Sequence, residues 1–232
     1  MMETGNVSFY DELLDAAAVE RDGFMAIPVI ARACAQGVSR AAYVDYLSQA
    51  YHHVRQTCPL LALAASRCGA RDAAYREALF DYIAEERGHE AWILEDIAAL
   101  GGDARGVRDG APRLPCHLMV AYAHYAVAFV SPYAMLGMVH VLEGMSVAMA
   151  QRAASSIAAR VGVGADGGGF RYLSSHGGLD VEHVAFFQRL VDQIDGIEER
   201  EAIVATARVI YRLYGDVFRE VAGRHEELSD AA

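Results

Sequence analysis

Three side chains of the kinds that bind metals fall within one short stretch of the sequence. Asp180 lies four residues after His176, and His183 lies three residues after Asp180. Because each residue of an α-helix advances by about 100°, these steps place the three side chains within roughly 60° of one helix face. Imidazole and carboxylate groups are common protein ligands of transition metals. The spacing therefore predicts a helix that contributes three ligands to a metal site.

Two other segments offer ligands of the same kinds. Glu86 and His89 form a Glu-x-x-His pair, a spacing that places both side chains on one helix face. Glu143 lies in a nearly apolar stretch, where an ionised carboxylate is costly unless it is paired or bound to a metal. The combined set of three histidines and three carboxylates suits two iron or manganese ions held between helices. The set contains no thiolate, which disfavours a structural zinc site.

Each segment also has a simpler interpretation when it is taken alone. A single histidine on a mixed helix is more often a surface residue or a hydrogen-bonded core residue, and a Glu-x-x-His pair is usually solvated. The coincidence of three segments favours the metal site. Two neighbours add further hypotheses. Tyr172 precedes His176 by one helical turn and would be a hydrogen-bond donor or a redox-active phenol, and His140 would be a ligand or would orient Glu143.

The elements that must position these residues are helices. Apolar residues recur at spacings of three and four along most of the chain, which predicts an all-α bundle of seven or eight helices in a single domain over residues 1–232. Gly177 and Gly178 lie inside the helix that would carry His176, at a cost of roughly 2 kcal/mol relative to alanine. We therefore expect metal binding to help order that helix. The longest predicted helices cover about residues 39–67, 72–100, 132–161, 170–195 and 198–227.

Composition excludes several classes of function. The formal net charge is −11 over 232 residues, no basic block is present, and the chain contains no lysine. Nucleic acids and anionic membranes are therefore not expected partners, and Schiff-base or P-loop lysine chemistry is ruled out. No apolar run reaches the length of about 20 residues that a membrane helix needs. The acidic first 12 residues do not resemble a signal peptide, and the four cysteines form no C-x-x-C motif, so we expect a cytoplasmic protein.

The combined pattern resembles that of the heme-oxygenase-like di-iron oxidases and oxygenases, which are related in fold to the TenA and PqqC proteins. The resemblance extends from about residue 24 to residue 220 and includes Tyr51-His52-His53 in an early helix. It implies a heme-oxygenase-like bundle that binds two irons per chain, with manganese as an alternative, and suggests a homodimer. It also implies that O₂ is used to oxidise a small substrate such as an amino acid, a fatty acid or a biosynthetic precursor. The implied metal ligands are Glu86, His89, Glu143, His176, Asp180 and His183.

The sequence departs from several branches of that superfamily. Members that make para-aminobenzoate use a tyrosine beside the middle glutamate and a lysine, whereas Leu142 precedes Glu143 here. Thiaminase-type TenA proteins use a nucleophilic cysteine, for which the sequence offers no clear match. Heme oxygenase would need a histidine near the N-terminus, and none precedes His52. Two alternatives stay open, a metal-free TenA- or PqqC-like binding or thiamin-salvage protein and a mononuclear zinc hydrolase. The residues expected to line a substrate pocket are Tyr46, Phe80, Met138 and Phe186.

Overall fold

Helices make up most of the chain, as the apolar periodicity predicts. The computed structural model describes residues 7–163 and 168–225, except for the side chains of residues 176–183, and contains no β-strand in these parts. A 3₁₀ turn at Ala70–Asp72 precedes the sixth α-helix, and a π-helix at Ala126–Val130 follows the ninth. The α-helices are α1 (Phe9–Ala16), α2 (Ala18–Met25), α3 (Pro28–Gln36), α4 (Arg40–Val54), α5 (Thr57–Arg67), α6 (Ala73–Glu86), α7 (His89–Ala99), α8 (Ala104–Asp109), α9 (Leu114–Tyr125), α10 (Ala134–Val161), α11 (Arg171–Val191) and α12 (Ile197–Arg224).

Several of the long helices expected from the sequence are divided, so the bundle has more and shorter helices than the seven or eight predicted. Pro59 provides the reason for the break between α4 and α5, because its ring clashes with the carbonyl of Arg55, four residues earlier, in a continuous helix. Gly88 separates α6 from α7 with a φ of 98°, a left-handed conformation that side chains other than glycine rarely adopt. The prediction of one helix over 72–100 was therefore wrong.

The core is built around α10, which packs against α3, α11 and α12. Gly137 permits the close approach of α10 to α12, since a Cβ atom at this position would lie 2.5 Å from the carbonyl oxygen of Ile203. Two other pairs of helices also pack together, α4 with α7 and α9 with α12. The buried apolar residues form one continuous cluster that includes Leu47, Tyr82 and Tyr211. The all-α fold predicted from the sequence is thus confirmed.

Among the helices that the structure describes, none is both long enough and apolar enough to cross a membrane.

Candidate metal centre

A cavity of about 140 Å³ lies inside the bundle, between α3, α4, α5, α6, α10, α11 and α12. This volume would hold roughly five water molecules or one small organic molecule. Most of the wall is hydrocarbon, contributed by aliphatic side chains, and such a wall favours an apolar ligand. Its methionines are Met135, Met138, Met145 and Met149, all on α10.

Two carboxylates interrupt this apolar wall. Glu86, the last residue of α6, and Glu143, in the first half of α10, both line the cavity. Among the residues that the structure describes, one histidine, His53 of α4, lines the cavity. It is almost completely buried. The structure therefore brings two of the predicted ligands to one cavity although they are far apart in the sequence.

Tyr82 lies one helical turn before Glu86 and also lines the cavity. Burial, followed by the neighbouring Glu143 and Glu86 carboxylates, holds the pKa of its hydroxyl well above the usual value. Within the described part of the chain this buried hydroxyl has no hydrogen-bond partner. The hydroxyl therefore stays protonated and is a hydrogen-bond donor at the end of the cavity where the carboxylates lie.

Glu86 and His89 meet across the helix break at Gly88. Glu86 ends α6 and His89 begins α7, so they do not share the face of one helix as predicted, yet His89 Nδ1 lies 3.1 Å from Glu86 Oε2. If Nδ1 carries the proton, it donates to the carboxylate and the lone pair is on Nε2, the nitrogen that can then coordinate a metal. Carboxylates commonly orient metal-binding imidazoles in this way. In that tautomer Glu86 would orient His89, and the predicted roles of both residues as ligands stay predictions.

The side chains of Trp92 and Arg171 fix the position of the His89 ring at the start of α7. It stacks on Trp92 with ring centroids 4.1 Å apart. The guanidinium of Arg171, the first residue of α11, lies 4.7 Å from the centre of the Trp92 ring. This cation–π contact joins α7 to α11, the helix that carries the other predicted ligands.

Asp96 anchors the beginning of α11 more directly. Its side chain is almost fully buried, and its carboxylate accepts the backbone N–H groups of Arg171 at 3.0 Å and of Tyr172 at 2.8 Å. Burial raises the pKa of this carboxyl group, while the backbone N–H donors lower it and offset part of that rise. An acidic residue of α7 therefore caps a helix that lies 75 residues further along the chain.

Tyrosine hydroxyls from three helices meet beside the cavity. Tyr46 of α4 lies within hydrogen-bond distance of Tyr214 of α12, with 3.2 Å between the two oxygens, and also hydrogen-bonds to Tyr172 of α11. All three line the cavity, and His53 packs edge-on against Tyr214. Tyr172 therefore lines the cavity and hydrogen-bonds to Tyr46, while both roles predicted for it beside His176 stay predictions.

The remaining predicted ligands, His176, Asp180 and His183, lie on α11, but their side chains are outside the described residues. Among the side chains that the structure describes, no group of three or more histidines, cysteines or acidic residues is arranged to hold a metal ion. The six-ligand set therefore stays a prediction.

The structure tests the expected pocket lining. Tyr46 and Met138 line the cavity, as predicted. Phe80 does not, because its side chain points to solvent with 48% of its surface exposed, so this prediction was wrong. Phe186 does not line the cavity either, so this prediction was also wrong; its ring packs against that of Tyr82, with 5.1 Å between the centroids.

His140 does not reach Glu143. Its ring lies among the rings of Tyr10, Phe187 and Tyr211, on the side of α10 away from the cavity. Burial, with a smaller contribution from Arg21, lowers the pKa of His140 to about 4. The histidine is a neutral core residue, and the proposed role in orienting Glu143 was wrong.

Sequence reasoning missed Tyr82, Asp96 and Tyr214. Tyr82 could have been found, because it precedes Glu86 by four residues and so shares its helix face. Asp96 could have been noticed less easily, as a carboxylate between the apolar residues Ile93 and Ile97. No local pattern indicates Tyr214, whose position depends on how α12 packs against α4.

Comparison with known proteins agrees with this geometry. The profile of a protein family described as iron-containing redox enzymes matches residues 44–215. The chain belongs to this family. The matched segment of this iron-containing redox enzyme family includes Glu86, His89, Glu143 and the ligand-type residues of α11. Among curated proteins, no sequence matches the chain.

Solved structures show the same fold at low sequence identity. A domain of unknown function with a heme oxygenase-like fold from Shewanella denitrificans OS217 superposes with a TM-score of 0.83 at 18% identity, covering 97% of each chain. A TenA homologue from P. horikoshii OT3 has a TM-score of 0.75 at 9% identity and covers 93% of this chain and 98% of its own. A TenA homolog from Pseudomonas syringae pv. tomato DC3000 has a TM-score of 0.74 at 13% identity, with 95% of both chains covered. This family member therefore has the heme oxygenase-like fold.

Proposed function

We propose that this protein is a non-heme di-iron oxidase or oxygenase that uses O₂ to oxidise a small, largely apolar substrate inside the bundle. The observation that carries the proposal is the pair of carboxylates, Glu86 and Glu143, in the wall of an apolar cavity, with His89 hydrogen-bonded to one of them. The family to which the chain belongs, described as iron-containing redox enzymes, supports the same chemistry.

The donors in the described part of the site suit iron. Two carboxylates and an imidazole, with no thiolate among them, are ligands that Fe(II) and Mn(II) accept in helical bundles. His176, Asp180 and His183 would complete the set. Iron bound there would supply the electrons that reduce O₂.

The protein's own groups would position the reactants and control protons. The apolar cavity wall excludes water from the substrate, which strengthens electrostatic interactions inside the site. The protonated Tyr82 hydroxyl would donate a hydrogen bond beside the carboxylates. The linked hydroxyls of Tyr172, Tyr46 and Tyr214, which also line the cavity, would orient polar groups of the substrate.

A nucleophilic, metal-free reaction of the thiaminase type has less support. Cys34 lines the cavity, but burial raises the pKa of its thiol, opposed only in part by Arg152. A thiol with a raised pKa is mostly protonated at neutral pH and is therefore a poor nucleophile. Metal-free binding of a small molecule stays the alternative that an experiment must exclude.

Metal content tests the proposal. Protein loaded with Fe(II) without oxygen, then desalted, should retain about two irons per chain by elemental analysis, and its Mössbauer spectrum should indicate nitrogen and oxygen ligands. Glu143→Ala and His183→Ala should each lose iron. His124→Ala is the matched control, because His124 contacts Gln56 and does not line the cavity.

Oxygen consumption separates the remaining functions. The iron-loaded protein should consume O₂ faster when amino acids or fatty acids that fit the cavity are added. Wild-type protein that retains no iron would contradict the proposal and favour a metal-free binder. Tight zinc binding with hydrolysis and no O₂ uptake would instead indicate a mononuclear hydrolase.

A further inference from the structure

No arginine or lysine lines the cavity. The chain contains no lysine, and its 20 arginines all lie in the part that the structure describes. None of these arginines contributes to the cavity wall, whereas the carboxylates of Glu86 and Glu143 do. The protein therefore offers no guanidinium or ammonium group with which the anionic group of a bound molecule could pair.

Tyrosine hydroxyls are the hydrogen-bond donors that recur around the wall. Five tyrosines line the cavity, and they are Tyr43, Tyr46, Tyr82, Tyr172 and Tyr214. Burial raises the pKa of four of these hydroxyls, those of Tyr43, Tyr46, Tyr82 and Tyr214. These four stay protonated at neutral pH, and each can donate one hydrogen bond. A molecule in the cavity is therefore surrounded by donors that require acceptor atoms.

Two of the five hydroxyls are not satisfied by the protein. Those of Tyr43 and Tyr82 have no hydrogen-bond partner within the described residues, and each of the two tyrosines exposes only 1% of its surface. A buried hydroxyl without a partner is unfavourable, because it has lost its hydrogen bonds to water and gained none in return. An acceptor atom on a molecule bound in the cavity would remove this cost.

The charge of the wall decides which kind of acceptor fits. An ionised carboxylate or phosphate is costly to bury unless a cation pairs with it, and the wall supplies neither arginine nor lysine. Glu86 and Glu143 would also repel an anion more strongly in this apolar setting than in water. A protonated amine would be attracted to them, but it has no acceptor atom for the tyrosine hydroxyls. An uncharged carbonyl group accepts hydrogen bonds and avoids the cost of a buried charge.

We propose that the cavity binds an uncharged molecule with an aliphatic body and a carbonyl-type acceptor, such as a primary amide, in preference to the corresponding free acid. The Tyr43 hydroxyl donates one of the hydrogen bonds to that acceptor. That this ligand is the substrate rests on the proposed oxidase function. The inference narrows the substrates considered for that function, because free amino acids and fatty acids would bind more weakly than their uncharged derivatives.

Three probes with the same six-carbon chain test the preference. Hexanamide, hexanoate and hexylamine differ in charge, and the first two have equal numbers of non-hydrogen atoms. Ligand-observed NMR at neutral pH gives Kd for the full-length protein, both loaded with Fe(II) without oxygen and after treatment with a chelator. In both forms hexanamide should bind about tenfold more tightly than hexanoate, and more tightly than hexylamine.

A pair of hydroxyl deletions tests the role of Tyr43. Tyr43→Phe should weaken hexanamide binding about fivefold without lowering the melting temperature, because the lost hydroxyl has no partner in the described protein. Tyr75→Phe is the matched control, since the Tyr75 hydroxyl donates to the carbonyl of Pro132 at 3.0 Å and does not line the cavity. It should lower the melting temperature and leave hexanamide binding unchanged. A purely structural role for Tyr43 would give the pattern of the control.

Several results would overturn the inference. Hexanoate or hexylamine that binds as tightly as hexanamide, in either form of the protein, would contradict the preference, as would failure of hexanamide to bind. Equal affinity of the wild-type protein and Tyr43→Phe would contradict the role of Tyr43. The proposed function is judged separately, by iron retention. Tight hexanoate binding in the iron-loaded protein alone would overturn this inference and leave that function standing, whereas a preference for hexanamide in a protein that retains no iron would do the reverse.

Discussion

Replacement of Asp96 by alanine should loosen the start of α11, the helix that carries Tyr172 and the predicted ligand His176. The Asp96 carboxylate accepts two backbone N–H groups at 3.0 and 2.8 Å. Hydrogen bonds to a charged group contribute about 1.5 kcal/mol or more each, so losing both costs about 3 kcal/mol. The alanine variant no longer buries an ionised carboxylate, and this gain offsets part of the loss. We expect Asp96→Ala to lower the free energy of unfolding by about 2 kcal/mol.

Urea unfolding followed by circular dichroism measures this change. The comparison requires that the free energy of unfolding depend on urea concentration with the same slope in the wild-type protein and the variant. Glu95→Ala is the matched control, because Glu95 is adjacent on α7 and forms an exposed ion pair with the side chain of Arg171. This pair should contribute no more than about 0.5 kcal/mol. If the two alanine variants are equally stable, the anchoring role of Asp96 is refuted.

The pH dependence provides an independent check of the same anchor. The pKa of Asp96 is raised by burial, so the folded protein binds more protons than the unfolded chain just above the usual carboxyl range. The contribution of Asp96 to stability therefore falls as the pH rises through that window. Asp96→Asn keeps one acceptor oxygen and removes the charge. It should cost about 1 kcal/mol and abolish this part of the pH dependence.

Two further predictions concern Tyr82 and His140. Tyr82→Phe should change the free energy of unfolding by less than about 1 kcal/mol but lower kcat/KM for O₂-dependent turnover about tenfold, because only a hydroxyl at the cavity is lost. The control is Tyr75→Phe, which removes a hydrogen bond to the carbonyl of Pro132 outside the cavity. It should lower stability without changing turnover. Equal turnover in the two variants would contradict the role of Tyr82. His140 has a pKa of about 4 in the folded protein, so the unfolded chain binds more protons between that pH and about 6.5, and stability falls as the pH is lowered. Between pH 7 and pH 4 the wild-type protein should lose about 3 kcal/mol more than His140→Leu in urea unfolding, and parallel losses would show that His140 is not the cause.

The sequence alone was sufficient for the fold class, whereas the six candidate ligands that it also indicated stay a prediction. Apolar periodicity reports the helical conformation because local spacing determines which side chains share a face. Residue type is also read directly from the sequence, and a carboxylate among apolar neighbours marked Glu143 as a candidate site residue. The presence of Glu86 and Glu143 at one cavity agrees with this reasoning, whereas Phe80 shows its limit, because residue type does not reveal which face of α6 meets the core.

Tertiary structure determined how the site is assembled. Residues 86 and 89 meet across a break at Gly88 and not along one helix, and the anchor of α11 comes from Asp96 on α7. Tyr214 reaches Tyr46 only because α12 packs beside α4. These contacts join residues up to 168 positions apart, and their formation depends on the packing of whole helices. Local spacing along the chain carries no record of that packing. The positions of Tyr82 and Tyr214 in the cavity wall, and of Asp96 at the start of α11, could therefore be seen only in the folded protein.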